Sequence, residues 1–258
     1  MKSGEQISLG FSTYVKAFEF IFKHGLWVYF LYPLAFAVLL FIGGALMMEQ
    51  ITVYIRGELT GLLGLDSDPD SWFMSAMGWI ISLSIGIIMW WIFFYIKASF
   101  VKYTTLILLS PVLAHVSEKT EQIITGKKIP FDFAQFMKDV LRGILLALRN
   151  MLIEFGFIFI LFFVSFIPVI GIFISVVILS LVSWFFYGFS MIDYSNERKK
   201  LSIGQSTSFS WKNKWLCSSN GFCFWLIFSI PWIGVIIAPI TGVVAATLAV
   251  NKAGKEKA

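Results

Sequence analysis

The sequence predicts an all-α integral membrane protein, and three observations predict it. Residues 151–192 form a run of 42 residues with one charge, Glu154. Three more apolar blocks lie around it, at 26–48, 72–96 and 221–250. Charged residues make up only 14% of the chain, against about 25% in an ordinary soluble domain. That is too little polar surface to cover a soluble core. About 20 apolar residues in a helix cross a bilayer core. One membrane domain over 1–258 is therefore expected. Blocks 26–48 and 72–96 are its long spanning helices, and 151–192 and 221–250 are helical hairpins turned by Pro and Gly and expected to penetrate part-way. The first arm of 221–250 is too short to cross, while 151–192 has two closely joined spanning helices as its alternative.

In chain order, residues 1–10 are expected to be loose. Phe11, Tyr14, Val15, Phe18 and Phe22 then recur at helical spacing among Lys16, Glu19 and Lys23. This is an amphipathic helix, lying either on the membrane surface or against the rest of the protein. Gly25 ends the pattern. The block 26–48 is uncharged over 23 residues, with Pro33 early in it. Residues 49–71 form a loop of net charge −4, and 51–65 can form a short interfacial helix within it. The second span carries Trp79, Trp90, Trp91 and Tyr95 toward its ends, as an interfacial belt does. Lys97 and Lys102 follow with stems able to snorkel. Ser110-Pro111 predicts a kink or restart. Gly126 to Pro130 is a polar turn. Phe133, Phe136, Met137, Val140, Leu141, Ile144, Leu145 and Leu148 then mark a second amphipathic helix leading to the central run.

Charge gives the orientation. Residues 1–23, 97–149, 193–220 and 251–258 carry +1, +4, +3 and +2. Basic loops stay cytoplasmic, so both termini are expected inside and the acidic loop outside. The overall +5 reflects these short connectors rather than a nucleic-acid surface.

Two short motifs match in pattern. Ile167-Pro168-Val169-Ile170-Gly171 corresponds to Ile230-Pro231-Trp232-Ile233-Gly234, each inside an uncharged run after a basic connector. Such pairs either mark broken helices near a midplane site or are ordinary hairpin turns. Glu154 is the one acid inside an apolar block. It is expected to pair with Arg149, five residues away, or to have a job of its own. Asp193 is expected to cap a helix, with Arg198 beyond it.

No nucleophile–base set, phosphate loop or metal spacing is present, and Asp66-Ser67-Asp68-Pro69-Asp70 lacks a calcium loop's glycine and distal glutamate. The chain is expected to be no enzyme and to need no cofactor. Cys217 and Cys223 are expected to be ordinary thiols.

These features together resemble the CysZ-like sulfate transporter family of bacterial inner membranes, grouped with the eukaryotic etoposide-induced membrane proteins. The matching stretches are Ser110-Pro111 with Glu118 and Gly126, Arg149 and Glu154, the Ile167–Gly171 motif, and Asp193-Tyr194 with Arg198. Gly221-Phe222, Ile230-Pro231, Ala238-Pro239 and Ala246-Thr247 complete them. The resemblance covers about residues 10 to 250. It implies a multi-pass inner-membrane permease or channel for sulfate or a similar anion, feeding cysteine biosynthesis and built as a dimer or multiple of dimers. It implies anion binding at Lys23, His24, Gly25 and Leu26, where the family's glycine and apolar residue stand but its arginines do not. It implies that Arg149, Glu154, Pro168, Gly171, Asp193, Arg198, Pro231 and Gly234 shape the hairpins and the path. The rival class is a non-transporting membrane scaffold or assembly factor for envelope proteins.

Overall fold

The computed structural model describes residues 1–36, 38, 101–127, 132–167, 170–231 and 233–255. All the regular structure there is helical. α1 (Ser3–Lys23) leads through a 3-10 turn (Leu26–Phe30) into α2, described over 31–36. α3 is helical over 101–125. Then come α4 (Phe133–Ser165), α5 (Ile170–Arg198), α6 (Ile203–Lys212), α7 (Lys214–Phe228) and α8 (Ile233–Lys255). The span 72–96, most of 26–48, the acidic loop 49–71 with its short helix, Pro168 and the turn beyond Lys127 lie outside the described residues.

Several elements differ from expectation. Residues 3–10 are helical rather than loose, begun by the Glu5 carboxylate accepting from the Lys2 backbone N–H at 2.8 Å. Ser110-Pro111 does not break α3, which runs through it. The second amphipathic helix and the first hairpin arm are one helix of 33 residues, α4. Asp132 caps it, its Oδ1 accepting from the backbone N–H of Ala134 at 2.9 Å and Gln135 at 3.3 Å. At 1.5 Å per residue α4 is about 50 Å long and the 29-residue α5 about 44 Å. Both exceed a core of about 30 Å, so length no longer argues for partial penetration of this hairpin. Among the described residues α4, α5 and α8 are long and apolar enough to cross a membrane. α7, with 15 residues, reaches only about 22 Å.

α8 is the centre of the fold. It contacts α1, α5 and α7, and Ala238, Ile240, Val243, Val244, Ala245, Ala246, Ala249 and Val250 are wholly buried. Small residues allow this. In a membrane, helices gain little from apolar burial and associate through close packing, which alanine permits. α1 covers one side of α8 with Leu9, Tyr14, Ala17 and Ile21. Its opposite stripe, Phe11, Val15 and Phe22, stays exposed. α5 and α7 cross at two glycines. A Cβ on Gly188 would lie 1.9 Å from the Cys217 carbonyl oxygen, and one on Gly221 would lie 1.7 Å from that of Trp184. Among the described residues the far half of the α4–α5 hairpin has its own small core of Ile158, Leu161 and Leu179.

Both hairpin turns are built in one register. Gly171 N–H donates to the Ile167 carbonyl at 3.0 Å, and Gly234 N–H donates to that of Ile230 at 2.8 Å. A Cβ on Gly171 would lie 2.1 Å from the Val164 carbonyl oxygen, and one on Gly234 would lie 2.3 Å from that of Ile227. The matched motif is thus a matched turn. Its glycine lets the returning helix sit on the last carbonyls of the outgoing one.

Candidate functional site

Three groups of polar residues hold the sequence-predicted positions. At the first, α1 ends at Lys23 and His24 caps it. The His24 Nδ1–H faces the Phe20 carbonyl at 2.9 Å, and its ring lies tilted against Phe20 with centroids 4.2 Å apart. Gly25 has φ 71°, a left-handed conformation that glycine adopts at little cost. It turns the chain into the helix that starts at the buried Leu26. Lys23, His24 and Gly25 are exposed, and a Cβ on Gly25 would meet nothing within 4 Å. An open helix start with two basic side chains before it is electrostatically suited to an anion.

The second group lies inside the bundle. Glu154 on α4 is 1% exposed and forms an ion pair with Lys102 on α3, itself 2% exposed. Tyr103 donates its hydroxyl to Glu154 Oε2 at 2.7 Å, and Ser183 on α5 donates to Oε1 at 2.6 Å. The Lys102 ammonium also sits 4.4 Å from the ring centroids of both Tyr103 and Tyr187. Arg149 is not the partner expected for Glu154. It donates to Thr207 on α6 at 2.9 Å, because one helical turn and a half separates it from Glu154 around the helix. Lys102 does not snorkel to a surface. Its charge is compensated in place.

The third group closes the polar end. Arg142 on α4 grips Asp193 with two bonds, Nε to Oδ2 at 3.0 Å and Nη2 to Oδ1 at 2.9 Å. It also donates to the Leu201 carbonyl. Asp193 lies within α5 rather than capping a helix, and it takes a further bond from Ser206. Arg198 pairs with Glu121 of α3. Beside these lies a cavity of about 1020 Å³ lined by both signs, among them Lys138, Lys200, Asp139 and Glu197. Two of its arginines are already held by carboxylates, so it is not a simple anion cup.

The second and third groups are linked along α3. Lys102 and Tyr103 meet Glu154 of α4, which Ser183 of α5 also reaches. Ser110 donates to the Val140 carbonyl at 3.2 Å and receives the Tyr194 hydroxyl at 3.4 Å. Ser117 meets Thr247 at 2.8 Å, which Ser195 also reaches at 3.2 Å. Glu121 meets Arg198. These rungs run α3 antiparallel to α4 and alongside α5.

Of the hairpin positions, Gly171 and Gly234 sit in the turns described above, and Pro231 is exposed at the second turn. Sequence reading missed Lys102, Tyr103, Ser183, Tyr187, Arg142 and Ser206. The one available signal was that an acid inside an apolar run needs a base somewhere. Spacing along the chain pointed to the nearest base, and the true partner is 52 residues away. Among the described residues no group of three His, Cys, Asp or Glu side chains is placed to hold a metal ion. Cys217 and Cys223 are free thiols.

Comparison with family models matches residues 13–239 to the family described as sulfate transporter CysZ/etoposide-induced protein 2.4. The chain belongs to the CysZ/etoposide-induced protein 2.4 family. The match takes in α1 from Thr13 onward and all three polar groups, and it ends at Pro239 inside α8. This CysZ-family chain is a multi-pass membrane protein. Comparison with individual curated proteins gives no significant match.

Proposed function

We propose that the protein is a permease or channel for sulfate or a related small anion in a bacterial inner membrane, supplying sulfur for cysteine biosynthesis. The observation that carries this is the family match over residues 13–239, and the helices able to cross a membrane agree with it. Basic side chains draw the anion toward the cytoplasmic vestibule, past Lys23, His24 and the helix start at Gly25-Leu26. There, N–H groups and basic side chains replace part of its hydration shell. Arg149, Glu154, Asp193 and Arg198 hold the path's walls, and the turns at Pro168, Gly171, Pro231 and Gly234 shape it. The protein performs no bond chemistry and works as a homodimer or multiple of dimers, with both termini cytoplasmic.

The test is radiolabelled sulfate flux into liposomes holding the purified protein, beside a K23A/H24A variant. Flux above empty liposomes, falling several-fold in the variant, is expected. Flux unchanged in the variant removes the binding site from Lys23 and His24. No flux from folded, inserted protein turns the reading to the scaffold class, which the exposed apolar stripe of α1 would then serve as a docking face.

A further inference from the structure

Glu154 occupies a position built for an anion. At least three donors from two other helices converge on its carboxylate: the Lys102 ammonium, the Tyr103 hydroxyl and the Ser183 hydroxyl. The Tyr103 and Tyr187 rings flank the ammonium, which fixes its direction. Both charges are almost wholly buried. Glu154 lies 11 residues before the end of α4, about 17 Å from the hairpin tip at helical rise. In a spanning hairpin that is well inside a core of about 30 Å. Lys102 lies 19 residues before Glu121 on α3, about 28 Å from the charged end of the bundle. A simple structural tie in this place has a cheaper form. Replacing a buried ion pair by apolar residues of similar volume is often neutral or stabilising.

We infer that Lys102, Tyr103 and Ser183 form an intramembrane oxyanion site whose resident occupant is the Glu154 carboxylate. An arriving oxyanion takes over these donors while the carboxylate swings aside. The carboxylate keeps the ammonium paired when no anion is present, and so stops the site from trapping one too tightly. The inference rests on the transport reading for its purpose. The site's existence is tested without flux.

The test compares wild type, Glu154→Gln and the double variant K102M/E154Q in detergent. Thermal unfolding is followed in sodium sulfate and in sodium chloride of equal ionic strength. In Glu154→Gln the donors lose their built-in anion. Sulfate at about ten times its dissociation constant should raise the midpoint by roughly 3–6 °C over chloride. Wild type should show a smaller rise, and the double variant, lacking the ammonium, none. An equal rise in Glu154→Gln and the double variant, or no rise in either, overturns the proposal. Glu154→Gln leaves a buried unpaired ammonium, so it is also purified with and without sulfate. Folded protein recovered only in sulfate is the expected result in its strongest form. Failure to fold in both overturns the proposal. Wild-type flux separates the two readings. Lys102-dependent sulfate binding without wild-type flux keeps the site and sinks transport. Wild-type flux without such binding does the reverse.

Discussion

At the residue scale, the cost of a buried charge orders this protein. Arg142 shows it outside the proposed anion site. Its guanidinium meets both Asp193 oxygens and the Leu201 carbonyl, tying α4 to α5 and to the segment before α6. Arg142→Ala would strand the carboxylate of Asp193, which is 4% exposed, and should cost about 3–5 kcal/mol. Arg142→Lys should recover less than half, because an ammonium offers no planar fork. Thermal unfolding of the two variants in micelles checks this, and equal midpoints for Arg142→Lys and wild type would refute it. The importance of Glu154 was legible in the sequence because an acid in an apolar run is conspicuous. Its partner was not. Lys102 is followed by Tyr103 and sits near a basic connector, where a lysine ordinarily reaches water. Only the packing of α3 against α4 and α5 turns it inward. The same limit hid Arg142, because the capping role expected of Asp193 rested on neighbours in sequence.

At the element scale, the two turns carry the main lesson. The Pro–Gly motifs were visible in the sequence, and so was their likeness. What they do was not, because a glycine's use as a seat for a carbonyl depends on the angle between helices. Gly171→Val and Gly234→Val should each destabilise by more than about 2 kcal/mol, since each adds atoms where a backbone carbonyl already lies. Gly156→Ala is the contrast. A Cβ there meets nothing within 4 Å, so alanine should be neutral or stabilise by about 0.5–1 kcal/mol through helix propensity. Unfolding midpoints of the three variants test the pair against the control. Helix lengths were less legible than helix existence. The turn before α4 gave a clear start, but the charges at Lys138, Asp139 and Arg142 suggested a separate surface helix. In the fold they lie at the polar end of one long helix, facing the cavity and Asp193.

At the scale of the whole molecule, the hydropathy pattern gave the class correctly, and membership of the CysZ family agrees with it. How deeply each hairpin reaches is a property of assembled helices. The arms of the first are long enough to cross, so Ile167→Cys, at a tip position 52% exposed, should react with a membrane-impermeant maleimide added outside intact cells. A cysteine at Ser202, beyond the far end of α5, should react only after the membrane is opened. Labelling of neither tip nor connector from outside would restore the re-entrant hairpin. Composition also hid which apolar helix faces lipid. α8 is as apolar as α4 and α5, yet 72% of its most apolar stretch is inside the protein, against 33% and 28% of theirs. That placement has a consequence for synthesis. α8, at the centre of the described helices, is made long after α1, which rests on it and on α7. α1 emerges from the ribosome more than two hundred residues before its seat exists. It must wait with Leu9, Tyr14, Ala17 and Ile21 uncovered, held by lipid or by a chaperone, until α8 arrives. A chain stopped before Ile233 therefore loses the seat of α1 as well as α8 itself.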